Sequence, residues 1–454
     1  MPVAKKHNGI RDFVNGFEGD KITWMIVLLL MMISILAISS STPLLALMTN
    51  STRTAIIREQ LFVVSFGLLI IIGLYNIRKI GIFRILSQFG YAISLLLLCC
   101  LMFHIKLPFF EAHKINNAWR VISVFGKQIH VFEVVKILMI MYLAWAVDAY
   151  KRDDFKIANM LANTERYAFM GKDFWKKAVY IYFPIVSVCI LMIGGSMSSA
   201  LFIGMAMAVT ILVGGIKIKE LVPFVLVVGV LLACCIGIHY ISGGKYFTHI
   251  GTAIGRLGNN PERELKEAVG TENFRKVLDG CRQPISAKIA VSEGGLIGKG
   301  PGKSTQRYIV PIMFEDYMFA FIIEEYGILG ALAVLILYGS LLARGSIIVK
   351  NCGGVFAKTA IAGLVILISG QALLHMMINV DLGPLTGQTL PMISHGSSSF
   401  IMFSIAFGII LSISRMAKEK IERETMDARP IVETEDDIRD RMNDLRTLED
   451  IDKS

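Results

Sequence analysis

The chain has 454 residues, 54% hydrophobic and 18% charged, with mean hydropathy +0.60 and a formal net charge of +10. Soluble proteins carry about a quarter charged residues, so a soluble globular enzyme is excluded, and the continuous apolar runs exclude a transmembrane β-barrel. The basic residues lie between apolar runs rather than on one soluble unit, which is the positive-inside bias of a membrane protein and not a nucleic-acid surface.

Residues 1–21 are polar and basic and lead into a long apolar run without a small-residue cleavage site, so the first run reads as a retained helix. Ten spans are expected in chain order: Ile22–Ser39, Leu61–Ile77, Leu86–Phe103, Val131–Ala149, Ala178–Ile193, Leu201–Ile216, Leu221–Ile241, Tyr317–Leu342, Thr359–Ile378 and Ser398–Ser412. Of the seven cysteines, five fall inside apolar runs, and none has metal-ligand or disulfide-framework spacing.

Alternate short loops hold nineteen Lys and Arg on one side, from Lys5 to Lys358, against six on the other: Arg53, Arg58, Lys106, Lys114, Arg120 and Lys127. Both termini are therefore placed in the cytoplasm. The expected architecture is an all-α polytopic membrane protein: a cytoplasmic N-terminus (1–21), a ten-helix domain (22–415) with a large extracytoplasmic loop at 242–315, and a charged cytoplasmic tail (416–454). Within that loop Pro261–Leu278 has the charge spacing of a short surface helix, and the tail reads as a short helix or a solvated appendage.

Four polar features fall on the outer side. The stretch Ser292–Arg307 is rich in glycine and carries Lys299, Lys303 and Arg307, which suits an anion such as a phosphate as well as it suits a solvated connector. Glu315 and Asp316 follow at the start of the eighth span, where a carboxylate can cap the helix or serve as a general base at the membrane boundary. Glu133 and Lys136, three apart on the fourth span, share a helix face, as an ion pair or as the lining of a cavity, and Trp119-Arg120 precedes them as an anchor or a phosphate ligand. Leu382–Ser399, with Pro384, Pro391, Ser394 and His395, suggests a re-entrant or broken helix, which is tolerated only where it is buried or lines a cavity.

These residues carry a resemblance to the SEDS family of peptidoglycan polymerases, with its FtsW, RodA and SpoVE branches. Ala290–Arg307 is similar to that family's AIGSGGLFGKGLGNSxQK pattern, Val310–Gly327 to its LPEAHTDFIFA…EELG pattern, and Leu390–Ser399 to LPFISYGGSS. Ile129–Lys136 stands where the family has FQPSExxK, and Asn117–Arg120 where it has GARRW. The spacing of Lys303-Ser304-Thr305-Gln306-Arg307 is most similar to the FtsW branch. The chain also departs from the pattern: no acidic residue stands in Gly195–Ala200, Phe314-Glu315 replaces HT, Val131 and Phe132 replace PS, His395 replaces a tyrosine, and Ser286 a glutamine.

The resemblance implies a glycosyltransferase that joins lipid II units into glycan strands outside the cytoplasmic membrane and releases undecaprenyl pyrophosphate, with a role in cell division at the septum. It implies Asp316 as the catalytic residue and gives Glu133 and Lys136 functional importance. With them the candidate substrate-binding or supporting residues are Arg120, Lys299, Lys303, Ser304, Gln306, Arg307, Glu315, Ser394 and His395, with Arg120, Lys136 and the loop cations expected to meet the leaving pyrophosphate. No metal ligands and no definite cofactor are assigned, and a divalent cation, Mg or Mn, could assist. The implied partners are lipid II, the nascent strand, a class B penicillin-binding protein and other division-complex membrane proteins. The competing readings are a flippase for the lipid-linked precursor and a non-catalytic division scaffold.

Overall fold

The computed structural model describes residues 18–427 except 49, 108–109, 116–117, 125, 165–168, 243–260, 311–312 and 384–386. Helix α1 is Lys21–Ser41, α2 Arg53–Tyr75, α3 Ile80–Gln88 and α4 Gly90–Met102. Strands β1 Lys106–Leu107, β2 Phe110–Ile115, β3 Ala118–Val124 and β4 Lys127–His130 follow. Then come α5 Val131–Arg152, α6 Asp173–Ile193, α7 Met197–Val213 and α8 Ile218–Ile241. Helices α9 Pro261–Ala268, α10 Phe274–Gly294, α11 Met318–Asn351, α12 Val355–Asn379 and α13 Ser397–Asp427 complete the bundle.

Each expected span overlaps a helix. Among the described residues six helices are long and apolar enough to cross a membrane, or seven if the bent pair α3–α4 is one span. That pair bends by 41° at Phe89. Gly90 follows the bend and lets the chain approach α5, since a Cβ there would sit 2.6 Å from the Leu138 carbonyl oxygen. Helices α12 and α13 are largely enclosed, while α2 and α11 present exposed apolar residues such as Phe62, Leu69, Leu329 and Ile336. Those faces suit lipid, and the enclosed helices form the centre.

One expectation is corrected and two features extend the sequence reading. The loop between α4 and α5 is a four-stranded antiparallel sheet in the order β1-β2-β3-β4, which the hydropathy pattern does not foretell. The expected surface helix Pro261–Leu278 breaks at residues 269–273, and α10 then runs on to Gly294 and packs against α11. The last span continues as helix to Asp427, into the expected tail, supported by the exposed i,i+4 pairs Lys418–Glu422 and Lys420–Glu424. The rest of the tail, 428–454, lies outside the described residues, as do 1–17.

At the N-terminal end of α1, Asp20 caps the helix by accepting from the Thr23 N–H at 3.0 Å. Arg344 of α11 donates from Nε to both Asp20 carboxylate oxygens, at 3.1 and 3.2 Å, and from Nη2 to Oδ1. Burial pushes the Asp20 carboxyl up, but the bonds from Arg344 and Thr23 outweigh it and hold the group below its usual value. A depressed carboxylate stabilises the fold above its unfolded pKa of about 3.9 and loses that contribution as pH falls through the folded value. Asp20→Asn is therefore expected to lower the melting temperature in detergent at pH 7, and the gap to wild type is expected to close below about pH 4.

Candidate functional site

The N-terminal end of α11 is preceded by a turn, Met313–Tyr317, that contains Glu315 and Asp316. Asn379, the last residue of α12, fastens this turn. Its Nδ2 donates to the Asp316 carbonyl at 3.1 Å and to the His375 carbonyl at 2.8 Å, and its Oδ1 accepts from Ala320 N at 2.9 Å. Asp316 itself is half-buried.

The segment after α12 packs against the same turn. Residues 387–390 have no regular secondary structure and 391–395 turn before α13. Leu390, Met392, Ile393 and Ser394 are buried, so their neighbouring carbonyls need partners inside the protein. Gln371 donates to Thr389 O at 3.0 Å, Tyr338 to Pro391 O, and Ser34 to Ile393 O at 3.1 Å. Ser394 Oγ donates to Glu315 O at 2.8 Å, and the His395 N–H donates to Phe314 O at 2.8 Å. Among its described residues the expected broken helix is thus an irregular segment, buried from Gln388 to Ser394 apart from the half-buried Thr389, and held by side chains from α1, α11 and α12. His395 lies 3.9 Å from Glu315 Oε1 and edge-on to Phe314. The structure therefore brings Glu315, Asp316, Ser394 and His395 together.

Behind them is a buried polar centre. Lys136, 1% exposed, donates to Glu133 Oε1 at 2.7 Å, Gln371 Oε1 at 2.9 Å and Gln388 Oε1 at 2.8 Å. An ammonium has three donors, so all are used. Lys136 is a satisfied core cation, which corrects the expectation that it meets a leaving group. Gly387, the residue before Gln388, lies near Asp316: a Cβ added there would be 3.6 Å from Asp316 Oδ2. Sequence reasoning missed Gln371, His375 and Asn379. They recur at i, i+4 and i+8 on one face of α12, and polar residues at that spacing inside an apolar run were the available signal.

The glycine-rich loop does different work from that expected. Helix α11 breaks at Gly327 (φ 69°, ψ −167°), and the loop 295–307 packs into the break. Lys299 N donates to Glu324 O and Gly300 N to Glu325 O, both at 2.9 Å, and Ile328 N to Gly295 O at 3.0 Å. Lys299 Nζ donates to Glu293, to Glu324 at 2.7 Å and to Thr305 at 2.9 Å. Burial pulls the Lys299 ammonium down, but these carboxylates hold it above its ordinary value. Ser304 Oγ also donates to Glu324, while Glu325 accepts from Ser40 Oγ at 2.6 Å. Arg307 donates to Ser40 O at 3.1 Å and stacks on Tyr308. Gln306 is buried and Lys303 is exposed.

Lys299 and Arg307 are thus committed to buried carboxylates and backbone, so the loop is a clamp on Glu324 and Glu325. The glycines serve close backbone contact: a Cβ on Gly298 (φ +84°) would overlap the Glu325 carbonyl. Gly298→Ala is expected to cost more than about 2 kcal/mol through strain and clash, read as a lower melting temperature in detergent.

Arg120 on β3 donates to the Gly195 carbonyl at 2.8 Å, in the turn between α6 and α7, which ties the sheet to the bundle. Asn117, just before β3, lies outside the described residues. A cavity of about 620 Å³ opens beside the Asp316 turn, lined by Glu264, Glu267, Lys288, Tyr317, Asn379 and Asp381, among others. Its volume falls in the range of small-molecule sites, about 300–1,000 Å³. Lys288 is paired with Asp381 at 2.7 Å, so among the described residues the lining is net acidic. Among the described residues no group of three or more His, Cys, Asp and Glu could hold a metal ion. Among the described residues the donor set does not fit a protein-held cation.

The bundle and its buried ionisable centre define a polytopic helical membrane protein with a polar site opening at one end of the helices. The chain belongs to the FtsW/RodA/SpoVE family of cell cycle proteins, whose family model matches residues 20–419. It is 29% identical over 311 residues to a probable peptidoglycan glycosyltransferase FtsW of Bacillus subtilis (strain 168), covering 68% of this chain and 70% of that one. It is 36% identical over 163 residues to a probable peptidoglycan glycosyltransferase FtsW of Hahella chejuensis, covering 35% of this chain and 41% of that one. A chain in a solved peptidoglycan synthase complex, described as coordinating polymerization and crosslinking, shares the fold with TM-score 0.60 at 20% identity, over 88% of this chain and 98% of that one.

Proposed function

We propose that this chain is a peptidoglycan glycosyltransferase that polymerises lipid II at the outer face of the cytoplasmic membrane, in division at the septum. The observation that carries the reading is Asp316: a half-buried carboxylate on a fastened turn, beside a cavity, in a chain of this family. Its carboxylate takes the proton of the acceptor sugar's 4-hydroxyl, whose oxygen attacks the anomeric carbon of the lipid-linked donor strand. The carbon–oxygen bond to the diphosphate breaks, and undecaprenyl pyrophosphate leaves with the electron pair. The acidic cavity suits the neutral saccharide better than the diphosphate, since like charges repel. An Mg or Mn ion would reach the reaction bound to the substrate's diphosphate rather than to this chain.

A class B penicillin-binding protein is the partner that crosslinks the product, in keeping with the synthase complex that shares the fold. Contacts to other division proteins belong to the same proposal. The flippase reading predicts a different outcome in sealed liposomes. Fluorescent lipid II should there be consumed into strands, one undecaprenyl pyrophosphate per bond. Movement of the lipid between leaflets with no strand formed would refute polymerisation.

A further inference from the structure

Gln388 has no part in the chemistry above, yet it occupies the junction between the buried cation and Asp316. It is 3% exposed. Its Oε1 accepts from Lys136 at 2.8 Å, its Nε2 donates to Ser199 Oγ at 2.7 Å, and its carbonyl meets His375 Nδ1 at 2.6 Å. Three helices, α5, α7 and α12, thus hold this one residue of an otherwise irregular segment. Gln371, the second amide on Lys136, holds the next carbonyl at Thr389. The preceding residue, Gly387, lies next to the Asp316 carboxylate, since a Cβ added there would stand 3.6 Å from Oδ2, and its backbone is the wall on that side. No regular hydrogen-bond ladder sets the position of that wall, so these side chains must set it.

We infer that Gln388 is a positioning residue: it transmits the placement of the Lys136–Glu133 pair to the wall against which the Asp316 carboxylate is aimed. The inference rests on the reading of Asp316 as the base. It acts on geometry in the transition state, so it should change turnover more than lipid II binding. A misplacement of about 1 Å can cost about 100-fold in rate.

The test uses the full chain with its transpeptidase partner and measures initial rates over a range of lipid II concentrations. Gln388→Leu should lower kcat at least about tenfold with KM within about twofold. Gln388→Glu keeps an acceptor for Lys136 and should restore most of kcat. Lys136→Met/Gln388→Leu should be no slower than Lys136→Met alone, because the two residues act as one unit. Ser199→Ala, which frees Gln388 Nε2 and leaves Lys136 fully bonded, is the mild variant if Gln388→Leu does not fold. It should lower kcat about threefold or more at unchanged KM.

Wild-type kcat in Gln388→Leu or Ser199→Ala, additive losses in the double variant, or equal losses in Gln388→Leu and Gln388→Glu would each overturn the inference while leaving the base in place. A wild-type chain that makes no strands would overturn the catalytic reading, and the inference with it.

Discussion

Replacing Asp316 with asparagine is expected to slow strand synthesis at least about 100-fold, within the 10²–10⁴ range of a lost general base. The amide keeps the shape of the side chain but cannot take a proton at neutral pH. The fold should survive, because the turn is fastened through the Asp316 backbone carbonyl and through Ala320 N, both bonded to Asn379. Asp316→Glu keeps the carboxylate but moves it by one methylene, so it should fall between the two. Initial rates of lipid II consumption at equal amounts of folded protein check this order. A rate in Asp316→Asn within a few-fold of wild type would remove Asp316 from the chemistry.

Lys136→Met is expected to destabilise the protein by about 3–5 kcal/mol and to lower activity by about 100-fold, leaving a measurable rate. The methionine fills a similar volume, so the loss is electrostatic. Glu133, whose side chain is 13% exposed, is left as a carboxylate without its cation. The Oε1 atoms of Gln371 and Gln388 lose their donor in the same step. Pairing the change with Glu133→Gln removes the unpaired charge and should recover part of the stability without recovering activity. Thermal unfolding of the single and double variants in one detergent measures the recovery. A double variant no more stable than Lys136→Met would contradict the electrostatic account.

The apolar runs made the helices legible because their length matches a bilayer, whereas the start of α2 at Arg53, capped by Thr52, lies eight residues before the expected span. The Glu133–Lys136 pair was legible from its spacing, and the irregular segment before α13 from its prolines, glycines and serines. The sheet was harder to see. Its strands are short, and they lie between helices whose hydropathy dominates, although Val121-Ile122-Ser123-Val124 ahead of a Gly126 turn (φ +77°) is a hairpin signal.

The chemistry of the glycine-rich loop was misread for a physical reason. Glycine permits a backbone to cradle an anion or to press against another backbone, and composition does not separate the two. The partners Glu324 and Glu325 decide it, and they sit inside an apolar run far along the chain from Lys299. Which cations remain free depends on such long-range pairs. Sequence spacing shows only local ones, so it marked Lys136, Lys299 and Arg307 as available when the fold commits all of them.

The central claim is that this chain forms glycosidic bonds, with Asp316 at the reacting hydroxyl. The most direct measurement resolves the products of labelled lipid II on a gel, for wild type and Asp316→Asn, each alone and with a class B penicillin-binding protein from the same cell. The account predicts a ladder of glycan strands from wild type in at least the paired condition, and none from Asp316→Asn in either, at equal thermal stability. A ladder of equal intensity from both proteins, or none from wild type in either condition, would contradict it.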